Sequence, residues 1–386
     1  MLRSVLVLID QEKRKINYYG WLGHGNLGDE ALFLANKKIF SMYDLVPSFF
    51  EQGRFSTQIK KISQVSLIGG SSGIPEWTQW IRPTKYNYVF GASVQDPKFY
   101  RKIASFDKAG IDRLRSFNFR YMGVRGNRSK TLLKEWGIES EVISDPCLSW
   151  KSNTHVMRDD RKVAINVGSA GLQWGKHEVV LRQIAKVCSN LKRDGYDPVL
   201  IPFSTWDVPD NRKLSHETGA EFFSKWFDAD SSYELISKCK LLIGTKIHSV
   251  VFSAASYTPF ICLAYVPESL DFVDGLGFSD YCIPTSKVTA EGVMTLFHDL
   301  VSKYKQNQNK LANIVDGYRE KQRRFASGII RDIESLPDNK WSSQGPLHKS
   351  LNGILWTVDS ALHVKMSNVW RIWNRHLLLH AIKYLI

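Results

Sequence analysis

Short runs of β-branched and aromatic residues alternate with segments of helical period along most of the chain. In the first half the apolar runs at 16–21, 65–68, 88–91, 121–124 and 141–143 predict strands, and 112–116 and 129–136 predict helices. The second half restarts with 163–167, a long helix near 177–191, and 198–203. The runs 241–243 and 260–263 continue the series. Alternation of this kind implies βαβ units and parallel sheets. The polar, aperiodic stretch 151–160 between the halves predicts a linker. The expected fold class is therefore α/β. Two doubly wound Rossmann-like domains, 1–150 and 161–335, face a cleft, with ligands at the carboxyl ends of the strands.

The end of the chain has a different pattern. An amphipathic helix is expected from about Ser302 to Ser335, stopped by Leu336-Pro337-Asp338-Asn339. In the tail, 336–386, Leu351, Leu355, Val358, Leu362, Met366, Val369, Trp373 and Leu377 form an apolar stripe at helical spacing. Lys349, Lys365, Arg371, Arg375 and Lys383 stand against Asp359 alone from Trp341 onward, about +4. Such a helix either packs back on the core or lies on a membrane surface with Trp356, Trp370 and Trp373 at the interface.

Composition narrows the class. Across 386 residues, 43% hydrophobic and 23% charged content are those of a globular protein. The apolar run 5–9 is too short for the core of a signal peptide, and no stretch reaches the length of a membrane span. Five scattered cysteines without a C-x-x-C pair predict reduced thiols, a cytoplasmic setting and no structural zinc. No metal and no cofactor are expected. The net charge of +14 predicts an anionic partner without choosing among nucleic acid, lipid headgroups and phosphorylated substrates. H-E-x-x-H and RNA-binding aromatic signatures are missing.

The densest chemical signal is Gly23-His24-Gly25-Asn26-Leu27-Gly28-Asp29-Glu30, a glycine turn between a strand and a helix. It satisfies G-x-G-x-x-G, but Asp29 and Glu30 would set two carboxylates beside a pyrophosphate. A ligand rich in hydroxyls suits Asn26, Asp29 and Glu30 better, while a plain turn with an acidic first helical turn stays open. Gly69 and Gly70 form a second permissive loop, without the lysine of a nucleotide-binding loop. Gly244-Thr245-Lys246-Ile247-His248-Ser249 predicts strand, turn and helix. Its cation and imidazole either serve an anionic ligand needing proton transfer or merely cap the turn. Arg125 follows another strand, as an anion clamp or a structural ion pair. Asp145, before Pro146, either orients one of these groups or caps a turn.

Together these segments resemble the polysaccharide pyruvyl transferase family. The likeness rests on Gly25-Asn26-Leu27-Gly28-Asp29-Glu30, Gly69-Gly70, Val124-Arg125 with Ser129, Ser144-Asp145-Pro146, Gly244 to His248, and the segment from Pro259 to Tyr265. It implies a GT-B-like fold and transfer of pyruvate from phosphoenolpyruvate onto two hydroxyls of one sugar as a ketal, in surface polysaccharide synthesis. Phosphoenolpyruvate is then a co-substrate. His248 becomes the general acid–base, while Lys246 and Arg125, with Gly244, Thr245 and Ser249, become the donor site. Asn26, Gly28, Asp29 and Glu30 are expected on the acceptor side, supported by Asp145, Gly69 and Gly70. The acceptor is expected to be a sugar or a lipid-linked oligosaccharide; in the second case the tail would make peripheral contact with the inner membrane, and no nucleic acid is expected. The chain departs from the family pattern at Lys246 (commonly arginine), Gly126 (commonly aspartate) and Glu268 (commonly lysine). A point charge thus replaces a two-pronged guanidinium at 246. Rival readings are a nucleotide-sugar glycosyltransferase of GT-B type and a non-catalytic glycan or nucleic-acid binding protein.

Overall fold

The computed structural model of the protein describes residues 13–48, 63–70, 72–74, 81, 84–100, 108–150, 157–168 and 174–337. The amphipathic stripe and basic residues of the tail, and Asp338 and Asn339, lie outside the described residues, as do 5–9 and 151–156.

The first sheet contains β1 (Lys15–Tyr19), β2 (Asp44–Ser48), β3 (Val65–Ile68), β4 (Ser72–Ile74), β5 (Tyr86–Val94), β6 (Phe119–Val124) and β7 (Glu141–Val142). Its order is β2-β1-β3-β5-β6-β7, with β4 paired to the end of β5, and every pair is parallel. Helices α1 (Leu27–Ile39), α2 (Pro97–Tyr100), α3 (Lys108–Ser116) and α4 (Asn127–Glu135) accompany it. The second sheet contains β8 (Asp159–Asn166), β9 (Asp197–Leu200), β10 (Glu221–Phe222), β11 (Cys239–Gly244), β12 (Phe260–Ala264) and β13 (Cys282–Pro284), all parallel in the order β10-β9-β8-β11-β12-β13. With it come α5 (His177–Arg193), α6 (Val208–Thr218), α7 (Ala229–Lys238), α8 (Ile247–Ala255), α9 (Pro267–Gly275), α10 (Ala290–Ser302) and α11 (Tyr304–Glu334).

In this second sheet the chain leaves β8 toward one edge, then returns to add β11 on its other side. Ligands bind at such a reversal of strand order, because the two adjoining loops part there. The adjoining loops are those after β8 and β11, and the β11 loop carries Thr245 and Lys246 and leads into His248 on α8. Strands β11 and β12 are buried nearly throughout, as central parallel strands covered on both faces must be. The edge strands β2, β10 and β13 were not expected from the sequence. They are short, and β2 carries Pro47, which an edge tolerates because one side of the ladder is free.

Two long-range features join the halves. Leu27, Ala31, Leu32 and Ala35 of α1 pack into the core that surrounds the second sheet. Helix α11 buries Leu311 and Val315 in that same core, then Phe325, Ile329 and Ile333 against Ile16, Tyr18 and Phe90 of the first sheet. Among the described residues no helix is long and apolar enough to cross a membrane.

Candidate active site

The glycine turn after β1 folds as a capped helix start. Asn26 Oδ1 accepts the Gly28 N–H at 3.1 Å, and Glu30 Oε1 accepts the Gly23 N–H at 2.7 Å. The loop then meets the loop after β9. Leu27 N donates to the Phe203 carbonyl at 2.8 Å, Thr205 N donates to Gly25 at 2.9 Å, and Asn26 bridges Ser204. These bonds place the start of α1 directly against α8. A methyl group on Gly28 would overlap the His248 imidazole, so glycine here is a matter of space. Its backbone lies under the ring.

Between these elements is a cavity of about 50 Å³, lined by Asn26, Asp29 and Arg125 from the first half. Phe203, Lys246, Ile247, His248 and Tyr265 line it from the second. Behind it lies Asp145, fully buried, with Oδ2 2.8 Å from Arg125 Nε and 3.6 Å from His248 Nε2. The Arg125 Nε proton points at the Gly91 carbonyl, 2.9 Å away, so Asp145 Oδ2 is held by charge. Its other oxygen accepts the Cys147 N–H at 2.8 Å. Ser144, just before, has φ of 65°, a left-handed conformation that costs a non-glycine residue energy and turns Asp145 inward.

Lys246 is nearly buried, and its ammonium lies 3.7 Å from Asp207 Oδ1 and 5.8 Å from the Tyr265 ring centre. Arg125 Nη2, Asp145 Oδ2, Asp207 Oδ1 and His248 Nε2 are buried and make no hydrogen bond with the protein. Buried polar atoms are normally satisfied, and their concentration round one cavity marks a place where ligand oxygens or protons are received.

The electrostatics follow from burial. Burial pushes the His248 imidazole down to about 4, with Arg125 and Lys246 adding to the effect and Asp145 opposing it. The ring is therefore neutral at pH 7. Burial also raises the Asp207 carboxyl, against the pull of Lys246, and raises Glu268 to about 8. Tyr265 is raised by burial and by Glu268, Asp207 and Asp29, so its hydroxyl remains a neutral donor.

The structure thus gathers Asn26, Asp29, Arg125, Lys246 and His248 at one cavity with Asp145 behind them. It puts the other residues singled out by sequence elsewhere. Thr245 Oγ1 accepts the Gly168 N–H at 2.8 Å and so braces the two loops of the second sheet. Ser249 Oγ donates to the Lys246 carbonyl at 2.7 Å, and Gly244 leaves room for that hydroxyl. Glu30 holds the glycine turn. Gly69 and Gly70 pack against Tyr18 and Leu32, and the Tyr18 hydroxyl donates to the Gly69 carbonyl. The sequence pointed to Tyr265 only as the end of the Pro259–Tyr265 segment, not as part of the cavity wall, and to Asp207 not at all in its buried ionic role. The only signal for Asp207 was its place just after a strand's carboxyl end. Among the described residues no group of three or more His, Cys, Asp or Glu side chains could hold a metal ion.

Comparison with known proteins bears on the family and the fold. The model of the polysaccharide pyruvyl transferase family matches residues 26–266. No curated protein matches the sequence. Among solved structures, a putative UDP-N-acetylglucosamine 2-epimerase from Listeria monocytogenes superposes with a TM-score of 0.55 at 12% identity, over 86% of this chain and 100% of that one. The S. aureus MnaA–UDP structure gives 0.52 at 11% identity, also over 86% and 100%. At such identities the likeness shows the fold alone, which is GT-B-like. With its matched span running from the capped glycine turn through Tyr265, the chain belongs to the polysaccharide pyruvyl transferase family.

Proposed function

We propose that this protein transfers pyruvate from phosphoenolpyruvate to two hydroxyls of one sugar, forming a cyclic ketal on a polysaccharide precursor. The observation that carries this is the cavity itself: a guanidinium, an ammonium and an imidazole converge on it from both halves, each backed by a buried carboxylate. A compact donor with a carboxylate and a phosphate fits such a pair of cations.

In this reading Arg125 and Lys246 bind the two anionic ends of the donor. The added negative charge raises the His248 pKa from its low resting value, so the ring gains a proton on binding. His248 then protonates the donor's methylene carbon and leaves an oxocarbenium-like centre at the carbon bearing phosphate. One sugar hydroxyl adds to that centre and returns its proton to His248. The carbon–oxygen bond to phosphate breaks, and the second hydroxyl closes the ring as its proton passes to the departing phosphate. Asn26 and Asp29, at the acceptor end, receive the sugar hydroxyls.

The direct test is phosphate release from phosphoenolpyruvate with a panel of glycosides bearing adjacent or 4,6-related hydroxyls, the ketal methyl being followed by NMR. The expected result is acceptor-dependent release that His248→Ala abolishes. Release that ignores the acceptor, or persists in His248→Ala, would refute the reading.

We also place the enzyme in the cytoplasm, with its basic tail against the inner membrane face where a lipid-linked acceptor would lie. Truncation from Leu347 should then lower sedimentation with anionic vesicles, and unchanged sedimentation would sink that part of the account.

A further inference from the structure

The turn that carries Arg125 into helix α4 is completed by the opposite half of the molecule. Gly126 occupies the N-cap of α4 and has no side chain to cap with. A good cap places an oxygen on the N–H of the second or third helical residue. Those N–H groups belong to Arg128 and Ser129, and the Asp271 carboxylate of α9 accepts both, at 2.8 and 3.1 Å. The Ser129 hydroxyl also donates to Asp271, at 2.7 Å, and accepts the Val94 N–H at the end of β5, at 3.0 Å. Gly126 has φ of −148°, extended backbone that any residue adopts. Its glycine is a matter of space: a Cβ there would overlap the Asp271 carboxylate. Asp271 is nearly buried, and Arg128 is held as well by Asp274, 3.1 Å away.

We propose that Asp271 is a positioning residue for the site. By capping α4 from across the cleft it steadies the turn that presents Arg125, so part of what holds Arg125 for its ligand comes from the opposite half. Three observations join in this. The cap is supplied in trans, Gly126 clears its path, and Ser129 ties the cap to β5, whose Gly91 carbonyl holds Arg125 Nε. As far as it concerns ligand binding the proposal rests on Arg125 being a donor-anion contact. The cap itself is tested without any ligand.

The test moves the carboxylate from one side of the cleft to the other. Four full-length variants are compared with wild type: Asp271→Ala, Gly126→Asp, the double variant, and Tyr100→Phe. Tyr100→Phe cuts a different tie between the halves, the 3.1 Å bond from the Tyr100 hydroxyl to Glu268. Amide hydrogen exchange over 126–133 reads the cap in the unliganded protein, and phosphoenolpyruvate titration by thermal shift reads Arg125.

Asp271→Ala should speed exchange there and weaken phosphoenolpyruvate binding about tenfold, in line with the loss of one charged cap. Gly126→Asp alone should do the same by crowding two carboxylates. The double variant, capped in cis, should restore both readouts to within about threefold of wild type. Tyr100→Phe should leave the 126–133 amides unchanged. If Asp271→Ala leaves exchange and binding at wild-type values, the proposal is overturned. It is equally overturned if the double variant restores protection without restoring binding, or if Tyr100→Phe reproduces the Asp271→Ala effect. Should wild type bind no phosphoenolpyruvate, the donor assignment fails, while the exchange arm still decides the cap.

Discussion

At the scale of single residues, the site depends on close approach as much as on charge. Gly28 lies against the His248 ring, so Gly28→Ala should displace the imidazole. The expected loss is about a hundredfold in transfer rate, against a stability cost of about 1–3 kcal/mol, read by phosphate release and by urea denaturation. An alanine variant with wild-type turnover would show that the ring has another support. His248 also leaves a signature in stability. Its folded pKa of about 4 lies below the ordinary 6.5, so the unfolded chain takes up the proton first as pH falls. Its contribution is complete above pH 6.5 and disappears as pH falls toward 4, by up to about 3 kcal/mol. Replacing it with asparagine should flatten the stability profile in that window relative to wild type; parallel profiles would place the ring in a more solvated setting. Much of this residue set was legible, because Arg125, Asp145, Lys246 and His248 all follow apolar strand-like runs. Asp207 and Asp271 were not legible in their roles, because each acts on a partner distant in sequence, Lys246 and the start of α4 respectively.

At the scale of elements, central strands declare themselves and edges do not. Residues 241–243 and 260–263 are unbroken apolar runs because both faces of β11 and β12 are covered. Strands β10 and β13 are two and three residues long, below the length at which a period can be read. Helix α11 shows a helical period throughout, but nothing in that period says that its face turns from one core to the other near residue 320. The structure shows what that crossing does for the site. Arg319 donates to the carbonyls of Leu148, Trp150 and Ala255, each at 2.7 Å, so it clamps the turn after Asp145 to the end of α8. Gln322 holds the carbonyls of Ile143 and Asp145 at 3.0 and 2.7 Å. Ile329, fully buried against the first sheet, anchors the far end. Ile329→Ala should therefore cost about 2–5 kcal/mol by chemical denaturation. A cost under about 0.5 kcal/mol, the level of a surface substitution, would contradict the packing described for α11.

At the scale of the whole molecule, the site belongs to neither half. The first half brings Asn26, Asp29 and Arg125, and the second brings Lys246, His248 and Tyr265. The backbone bonds between Gly25–Leu27 and Phe203–Thr205 keep them in register. The overall charge of +14 sits around a centre in which each cation already faces a carboxylate. A donor of two or three negative charges must therefore bring in compensation, and the neutral His248 is the group placed to accept a proton. On the proposed reading, binding and proton uptake are one event. The most direct test is a thermal-shift titration with phosphoenolpyruvate, and UDP as control, on wild type and His248→Ala between pH 6 and 8. Phosphoenolpyruvate alone should stabilise the protein. That stabilisation should strengthen as pH falls, with His248→Ala losing the part of the pH dependence that exceeds the ligand's own titration. Stabilisation by UDP without phosphoenolpyruvate, or identical pH dependence in the two proteins, would contradict it.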